Sequence, residues 1–213
     1  WSQYFLKGLS GLGVGKRGLE VGCGSGAFTR ALVKEGYEMT GCDLSAPMLS
    51  KAVSLAREKG LKINFVQADA AKLSLGKFDF LLSPNDCYNY IPHSNLRSAF
   101  RHAAASLKKS GIFWFDISSE YKLREKIANN VFADDRDEVT YLVFNHLFAD
   151  RVEMDVTLFV RRSDGVFERY DEQHTQYIHT VPDVCKLLEE TGFELVRVEG
   201  HLGENFEKSD RVN

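Results

Sequence analysis

Three glycines in five positions, Gly22-Cys23-Gly24-Ser25-Gly26, sit between a short apolar run at 17–22 and an amphipathic stretch at 27–35. A turn of that composition lets a ligand approach the backbone where a Cβ would collide, and it presents a helix N-terminus to an anionic group. Asp43 closes the next apolar run, residues 37–43, where an acid can accept both hydroxyls of a ribose. The loop also reads Gly22-x-Gly24-x-x-Ala27 with an acid about 20 residues on, the dinucleotide fingerprint. Two residues separate the candidate ligands. Glu20, two positions before Gly22, is unwelcome beside a pyrophosphate but suits a ligand carrying an ammonium and a sulfonium, and its neighbours Leu19 and Val21 read as buried. Gly26 leaves the loop wide and the helix N-terminus free to meet a carboxylate.

The elements that must hold these residues alternate strictly. Strand-like runs at 17–22, 37–43, 62–67, 78–83 and 111–117 are separated by helical patterns at 27–35, 46–59 and 96–107. Such alternation builds βαβ units, hence a parallel sheet with helices on both faces, an α/β doubly wound fold. The rhythm changes at about Glu138. Residues 139–148, 151–162 and 166–177 are three β-rich runs joined by Ala149-Asp150 and Ser163-Asp164-Gly165. Links that short imply antiparallel pairing. The α/β pattern then resumes with a helix at 182–190 and a sixth strand at 193–198. The expected organisation is one domain made of residues 1–137 and 178–213, carrying an antiparallel β insertion at 138–177 that covers the substrate side.

Four segments in order resemble the class I S-adenosylmethionine-dependent methyltransferases: Leu19-Glu20-Val21-Gly22-Cys23-Gly24-Ser25-Gly26, Gly41-Cys42-Asp43-Leu44-Ser45 with Met48, Gln67-Ala68-Asp69-Ala70, and Phe78-Asp79-Phe80-Leu81-Leu82-Ser83. The resemblance implies S-adenosylmethionine as methyl donor, with Glu20, Gly22, Cys23, Gly24 and Gly26 around the methionine moiety and Asp43 on the ribose. It places Leu44 and Met48 beside the adenine, Asp69 on its exocyclic amine and the Ala70 amide on a ring nitrogen, and adds Asn85 to the cofactor set. It also implies a Rossmann-like sheet of strand order 3-2-1-4-5-7-6. Only Asp210-Arg211-Val212-Asn213 remain for strand seven, so that strand is expected to be truncated, and Trp1 to lie inside a longer N-terminal helix.

After strand four comes Ser83-Pro84-Asn85-Asp86-Cys87-Tyr88-Asn89-Tyr90-Ile91, beside the transferable methyl in that fold. It departs from the Asn/Asp-Pro-Pro-aromatic pattern of some DNA and protein methyltransferases, since Pro84 precedes Asn85 and no Pro-Pro-aromatic follows. It is more similar to the Asp-x-x-Asn-Tyr-hydrophobic pattern of small bacterial methyltransferases with an antiparallel insertion after strand five, whose relatives include sugar and glycine N-methyltransferases. A small-molecule acceptor methylated on N or O is the expectation. Asp86 and His174 are candidate proton acceptors, although neither is obligatory, because the donor is already activated. Tyr4, Tyr88, Tyr90 and Trp1 are candidates for a substrate or methyl cage. Alternation puts Glu172, His174 and Gln176 on one strand face. Cys23 and Cys87 near the site read as small buried hydrophobes rather than nucleophiles.

With 27 Lys+Arg against 30 Asp+Glu and no basic run, no nucleic-acid partner is expected. No apolar stretch reaches the ~18 residues of a membrane span. Cys23, Cys42, Cys87 and Cys185 lack metal-ligand spacing, so no metal site and a reduced, cytoplasmic protein, monomer or homodimer, are expected. A nicotinamide-dependent oxidoreductase is the alternative on the same sheet, opposed by Glu20 and by the lack of a Tyr-x-x-x-Lys pair. A non-catalytic S-adenosylmethionine-binding module remains open on sequence alone.

Overall fold

The apolar runs flanking the glycine turn form the middle of a parallel sheet. The computed structural model describes residues 2–203, so Trp1 and the expected strand seven lie outside the described residues. In chain order the first half comprises α1 (Ser2–Leu12), β1 (Arg17–Val21), α2 (Ala27–Lys34), β2 (Glu38–Asp43), α3 (Ala46–Glu58), β3 (Asn64–Gln67), β4 (Phe78–Ser83), α4 (His93–Ser106) and β5 (Leu107–Phe115). The strands assemble as β3-β2-β1-β4-β5, all parallel, as the strand–helix alternation requires. Between β1 and β4 the chain order reverses, so their carboxyl ends flank a crevice where open α/β sheets take ligands.

Burial explains the register. Leu19, Leu81 and Leu82 are fully buried at the centre of the sheet, with Val21 nearly so. On one face α4 and α5 (Val181–Glu190) cover Leu19, Leu81, Phe100 and Val184, and on the other α1 and α2 cover Phe80, Leu82, Phe5 and Phe28. Ser45 caps α3 by accepting from the Met48 amide at 3.3 Å with Pro47 in the first turn, and Thr180 and Pro182 start α5 the same way.

The insertion is a second, antiparallel sheet of order β6-β7-β8-β9: β6 (Val131–Asp135), β7 (Val139–Leu147), β8 (Arg151–Arg161) and β9 (Phe167–Tyr177). It therefore has four strands where three were expected. The extra one, β6, is short and ends in Asp134-Asp135, which a tight turn pairs with Tyr141 and Thr140. A small core of Leu123, Val152 and Ile178 fixes the sheet's base.

Residues 193–198 depart from expectation: they form no strand among the described residues. A β-rich run becomes a strand only when a neighbour takes its backbone groups. In the described residues β5 pairs with β4 alone, Phe193 packs on Phe113, and Val196 is 78% exposed.

Asn89 is one of the buried side chains that join the two sheets. Asn89, fully buried, donates through Nδ2 to the Tyr177 carbonyl at the end of β9 (3.0 Å) and to the Ser118 carbonyl (3.2 Å), and its Oδ1 accepts from the Ser118 amide (2.8 Å). Replacing Asn89 by Ala leaves an amide and two carbonyls without partners, each costing roughly 1–3 kcal/mol when buried. Asn89→Ala is expected to lower unfolding free energy by at least about 2 kcal/mol, read by urea denaturation. Amide exchange should rise first in β9.

Candidate active site

The glycine turn folds back onto β2: the amides of Gly22 and Cys23 both donate to the Cys42 carbonyl, at 2.8 and 2.9 Å. Gly22, Gly24 and Gly26 all have positive φ (74°, 51° and 73°), which L side chains rarely adopt. They serve different ends. A Cβ on Gly22 would lie 2.3 Å from Cys87 Sγ, and one on Gly26 would lie 2.7 Å from the Phe65 ring, so both are required by packing. A Cβ on Gly24 would meet only the Met48 methyl at 3.4 Å, so this position is bare toward the crevice.

Asp43 stands where its position in sequence puts it. Its Oδ2 accepts from the Gly24 amide (2.7 Å) and its Oδ1 from the Ser45 amide (2.9 Å), which joins the glycine turn to the start of α3. Each carboxylate oxygen retains a second lone pair. Leu44 and Met48 lie on the same rim with large exposed apolar side chains. Asp69 uses Oδ1 to cap the short turn at Ala70–Lys72 through the Ala71 amide (2.8 Å), so it is a cap whatever else it contacts.

Glu20 is buried within β1 and accepts a hydrogen bond from the Thr29 hydroxyl of α2. Burial pushes its carboxyl up to about 8, with the nearby Asp43 charge adding to the rise while the Thr29 contacts and Arg30 oppose it. Thr29 and Arg30 were not singled out in the sequence. Arg30 holds the turn from below by donating to the Ser25 carbonyl at 2.5 Å.

A second cluster lies beyond β4. Asn85 and Asp86 have left-handed backbones (φ 63° and 50°), a costly conformation for residues with side chains. The Asp86 amide donates to both carboxylate oxygens of Asp116 at 3.3 Å, just past the end of β5. Asp86 Oδ2 accepts from Ser118 Oγ (2.8 Å) and from Gln176 Nε2 of β9 (3.1 Å). The rings of Tyr90 and His174 meet edge to face at 6.0 Å, and His174 Nε2 contacts Glu172 Oε2 at 3.2 Å. Asp86, Tyr90 and His174 are thereby brought into one neighbourhood. Asp116 was missed, although it closes an apolar strand just as Asp43 does, and Gln176 was placed on the His174 face without a role. Burial, together with the Asp86 charge and against the Asp86 amide, pushes Asp116 up to about 6.

Two aromatic candidates belong elsewhere. Tyr88 is 1% exposed and stacked on Phe100 with ring centroids 5.4 Å apart, so it is core rather than cage. Tyr4 packs against Trp114 and donates its hydroxyl to Glu199, away from the Asp86 cluster. Trp1 lies outside the described residues. Burial raises the thiols of Cys23, Cys42 and Cys87, which fits small buried hydrophobes.

A parallel sheet with a glycine turn at its switch point and an acid ending the next strand defines a Rossmann-like nucleoside-binding domain. Known proteins narrow this. The methyltransferase domain family matches residues 19–111. A provisionally named methyltransferase of Geobacillus sp. (strain WCH70) is 32% identical over 220 residues, covering 100% of this chain and 89% of that one. The crystal structure of an S-adenosylmethionine-dependent methyltransferase from Clostridium acetobutylicum ATCC 824 superposes with a TM-score of 0.93 at 30% identity, covering 99% of this chain and 87% of that one. CalS10, an amino pentose methyltransferase from Micromonospora echinaspora solved with S-adenosylmethionine bound, shares the fold at TM-score 0.78 and 19% identity, covering 96% of this chain and 86% of that one. The chain belongs to the class I S-adenosylmethionine-dependent methyltransferases. S-adenosylmethionine is its cofactor, which sets the nicotinamide alternative aside. Among the described residues no helix is long and apolar enough to cross a membrane, and no group of His, Cys, Asp and Glu is placed to hold a metal ion.

The buried Glu20 has a consequence for stability. Its folded value, about 8, lies above its ordinary value of 4.5. The native state therefore favours the protonated carboxyl; that stability is complete below pH 4.5 and is lost as pH rises through about 8. Glu20→Gln keeps an acceptor for Thr29 but has no charge to bury. The cofactor-free variant is expected to gain roughly 2–4 kcal/mol over wild type at pH 9 relative to pH 5. Thermal unfolding of both proteins at the two pH values checks this; a difference that does not change with pH contradicts the assignment.

Proposed function

We propose that this enzyme transfers the methyl group of S-adenosylmethionine to a nitrogen or oxygen of a small molecule. The observation that carries the reading is the roof. β9 reaches over the end of β4 and is tied there by Gln176 to Asp86 and by Asn89 to the Tyr177 carbonyl. On this reading the acceptor enters beside Tyr90 and His174, next to the end of β4. The net charge of −3 without a basic run also disfavours a nucleic-acid substrate. An amino pentose methyltransferase and this chain share a fold, which is compatible with the proposal.

The residues present fit the cofactor. Glu20 is a buried carboxylate for a cationic amino-acid end, and Gly24 bares the backbone where a Cβ would intrude. Asp43 has lone pairs left for the ribose hydroxyls after its two amide bonds. Leu44 and Met48 offer exposed apolar surface to the adenine, and Asp69 and the Ala70 amide are assigned to its polar edge. Asn85, Gly22, Cys23 and Gly26 complete the assigned set, the last three shaping the turn through amides already bonded within the protein. The cofactor supplies a methyl already activated by its sulfonium. The protein therefore contributes alignment, exclusion of water and a proton acceptor, and orientation of that kind can supply about 7–11 kcal/mol of a barrier.

Asp43→Ala removes both the ribose acceptor and the tie between Gly24 and Ser45. Affinity for S-adenosylhomocysteine, read by calorimetry, is expected to fall at least tenfold, about 1.5–3 kcal/mol for a charge-assisted contact. Unchanged affinity in a folded variant refutes the assignment. The reaction is tested by incubating the enzyme with methyl-labelled S-adenosylmethionine and a bacterial metabolite extract. Label is expected in a small-molecule fraction; label confined to protein or nucleic acid contradicts the proposal.

A further inference from the structure

The cluster beyond β4 holds more acceptor oxygens than its donors, the Asp86 amide, Ser118 Oγ and Gln176 Nε2, satisfy. Asp86 and Asp116 are adjacent carboxylates, and the Asp86 amide already points at both Asp116 oxygens. Gln176 is 95% buried (5% exposed), and its amide orientation is fixed because Nε2 must be the atom that donates to Asp86 Oδ2. That leaves Gln176 Oε1 buried with no hydrogen-bond partner. A buried amide oxygen without a donor costs free energy, so its presence on the side chain bonded to the Asp86 carboxylate points to a ligand that brings N–H groups. A hydroxyl brings one proton to donate, whereas an alkylammonium brings three and a compensating charge.

We propose that Asp86, Asp116 and the orphan oxygen of Gln176 form the acceptor subsite, and that it selects a primary or secondary aliphatic amine entering as its ammonium ion. The inference rests on the small-molecule reading above and narrows it to nitrogen. Tyr90, which meets His174 edge to face and contacts Gln176, adjoins the same cluster. The subsite adjoins the cofactor crevice, since Cys87, next to Asp86, is the residue that Gly22 must clear.

The subsite also performs the one proton step the reaction needs. An N–H proton of the ammonium passes to a carboxylate oxygen of Asp116; the N–H bond pair stays on nitrogen as the lone pair that transfer consumes, and Asp116 becomes a neutral acid. Burial makes Asp116 a stronger base than an ordinary carboxylate. The groups around it are the Asp86 charge, which raises it further, and Lys122, which opposes, with Cys87, Tyr90 and His174 on the neighbouring segments.

The test reads binding rather than turnover. The full chain saturated with S-adenosylhomocysteine is screened by saturation-transfer NMR against benzylammonium, cyclohexylammonium and glucosamine, and against benzyl alcohol, cyclohexanol and glucose. The ammonium compounds are expected to bind and their hydroxyl counterparts not. Asp116→Asn should weaken ammonium binding at least tenfold and abolish its rise with pH through about 6, with affinity for S-adenosylhomocysteine unchanged. Asp116→Glu should restore part of it. Gln176→Met, which keeps volume and removes the orphan acceptor, should weaken binding severalfold; no effect means that a water satisfies Oε1 and overturns the subsite. Binding of none of the ammonium compounds, or equal binding of the alcohols, also overturns it. The two readings fail separately: label that enters only a hydroxyl compound of the metabolite extract refutes the amine and upholds the small-molecule acceptor.

Discussion

Two loops meet at this site with only the Cys87 side chain between them. Gly22 ends the first strand's turn so close to Cys87 that a Cβ would sit 2.3 Å from its sulfur. That approach brings the segment after β4 against the glycine turn, and with it Asp86, whose neighbours reach β5 and β9. The glycine turn and the proposed acceptor cluster are therefore neighbours by packing. The positive φ of Gly22 and the left-handed pair Asn85-Asp86 are the conformational costs of the junction, concentrated on the two loops that must touch.

The antiparallel sheet contributes to the same junction from one end only. Its base is fixed by the Leu123, Val152 and Ile178 core and by Asn89, while much of its remaining surface is open. Strand pairing transmits that anchoring along the sheet: His174 is paired with Met154 and Gln176 with Val152, the buried residue of the base. Side chains two residues apart on β9 thus face the loop from a strand that cannot slip without turning its faces over. In the proposed subsite, His174 and Gln176 are positioned by register as well as by contact.

How far the sequence discloses this depends on the range of the interactions. The glycine turn, Glu20 and Asp43 lie within 24 residues and act through backbone geometry, so spacing alone identifies them. The parallel order of β1 to β5 follows from alternation. Tyr88 and Tyr90 illustrate the limit: two positions apart in one short turn, one stacks into the core and the other is exposed, a difference set by where α4 packs. Asp116 and Gln176 reach Asp86 across 30 and 90 residues, contacts that no local pattern encodes. Residues 193–198 show the converse, since β-rich composition does not supply a partner strand.

Finally, the cofactor of this family is an alkylating agent, and the chain lines its crevice with sulfur. Cys23, Cys42 and Cys87 surround the glycine turn, and a thiolate at any of them would compete with the acceptor for the methyl. Burial raises all three, Cys42 to about 12 and Cys87 to about 11. At neutral pH a thiol at 11 is ionised to roughly one part in ten thousand. The packing that closes the two loops on each other thus also disfavours a thiolate beside the turn.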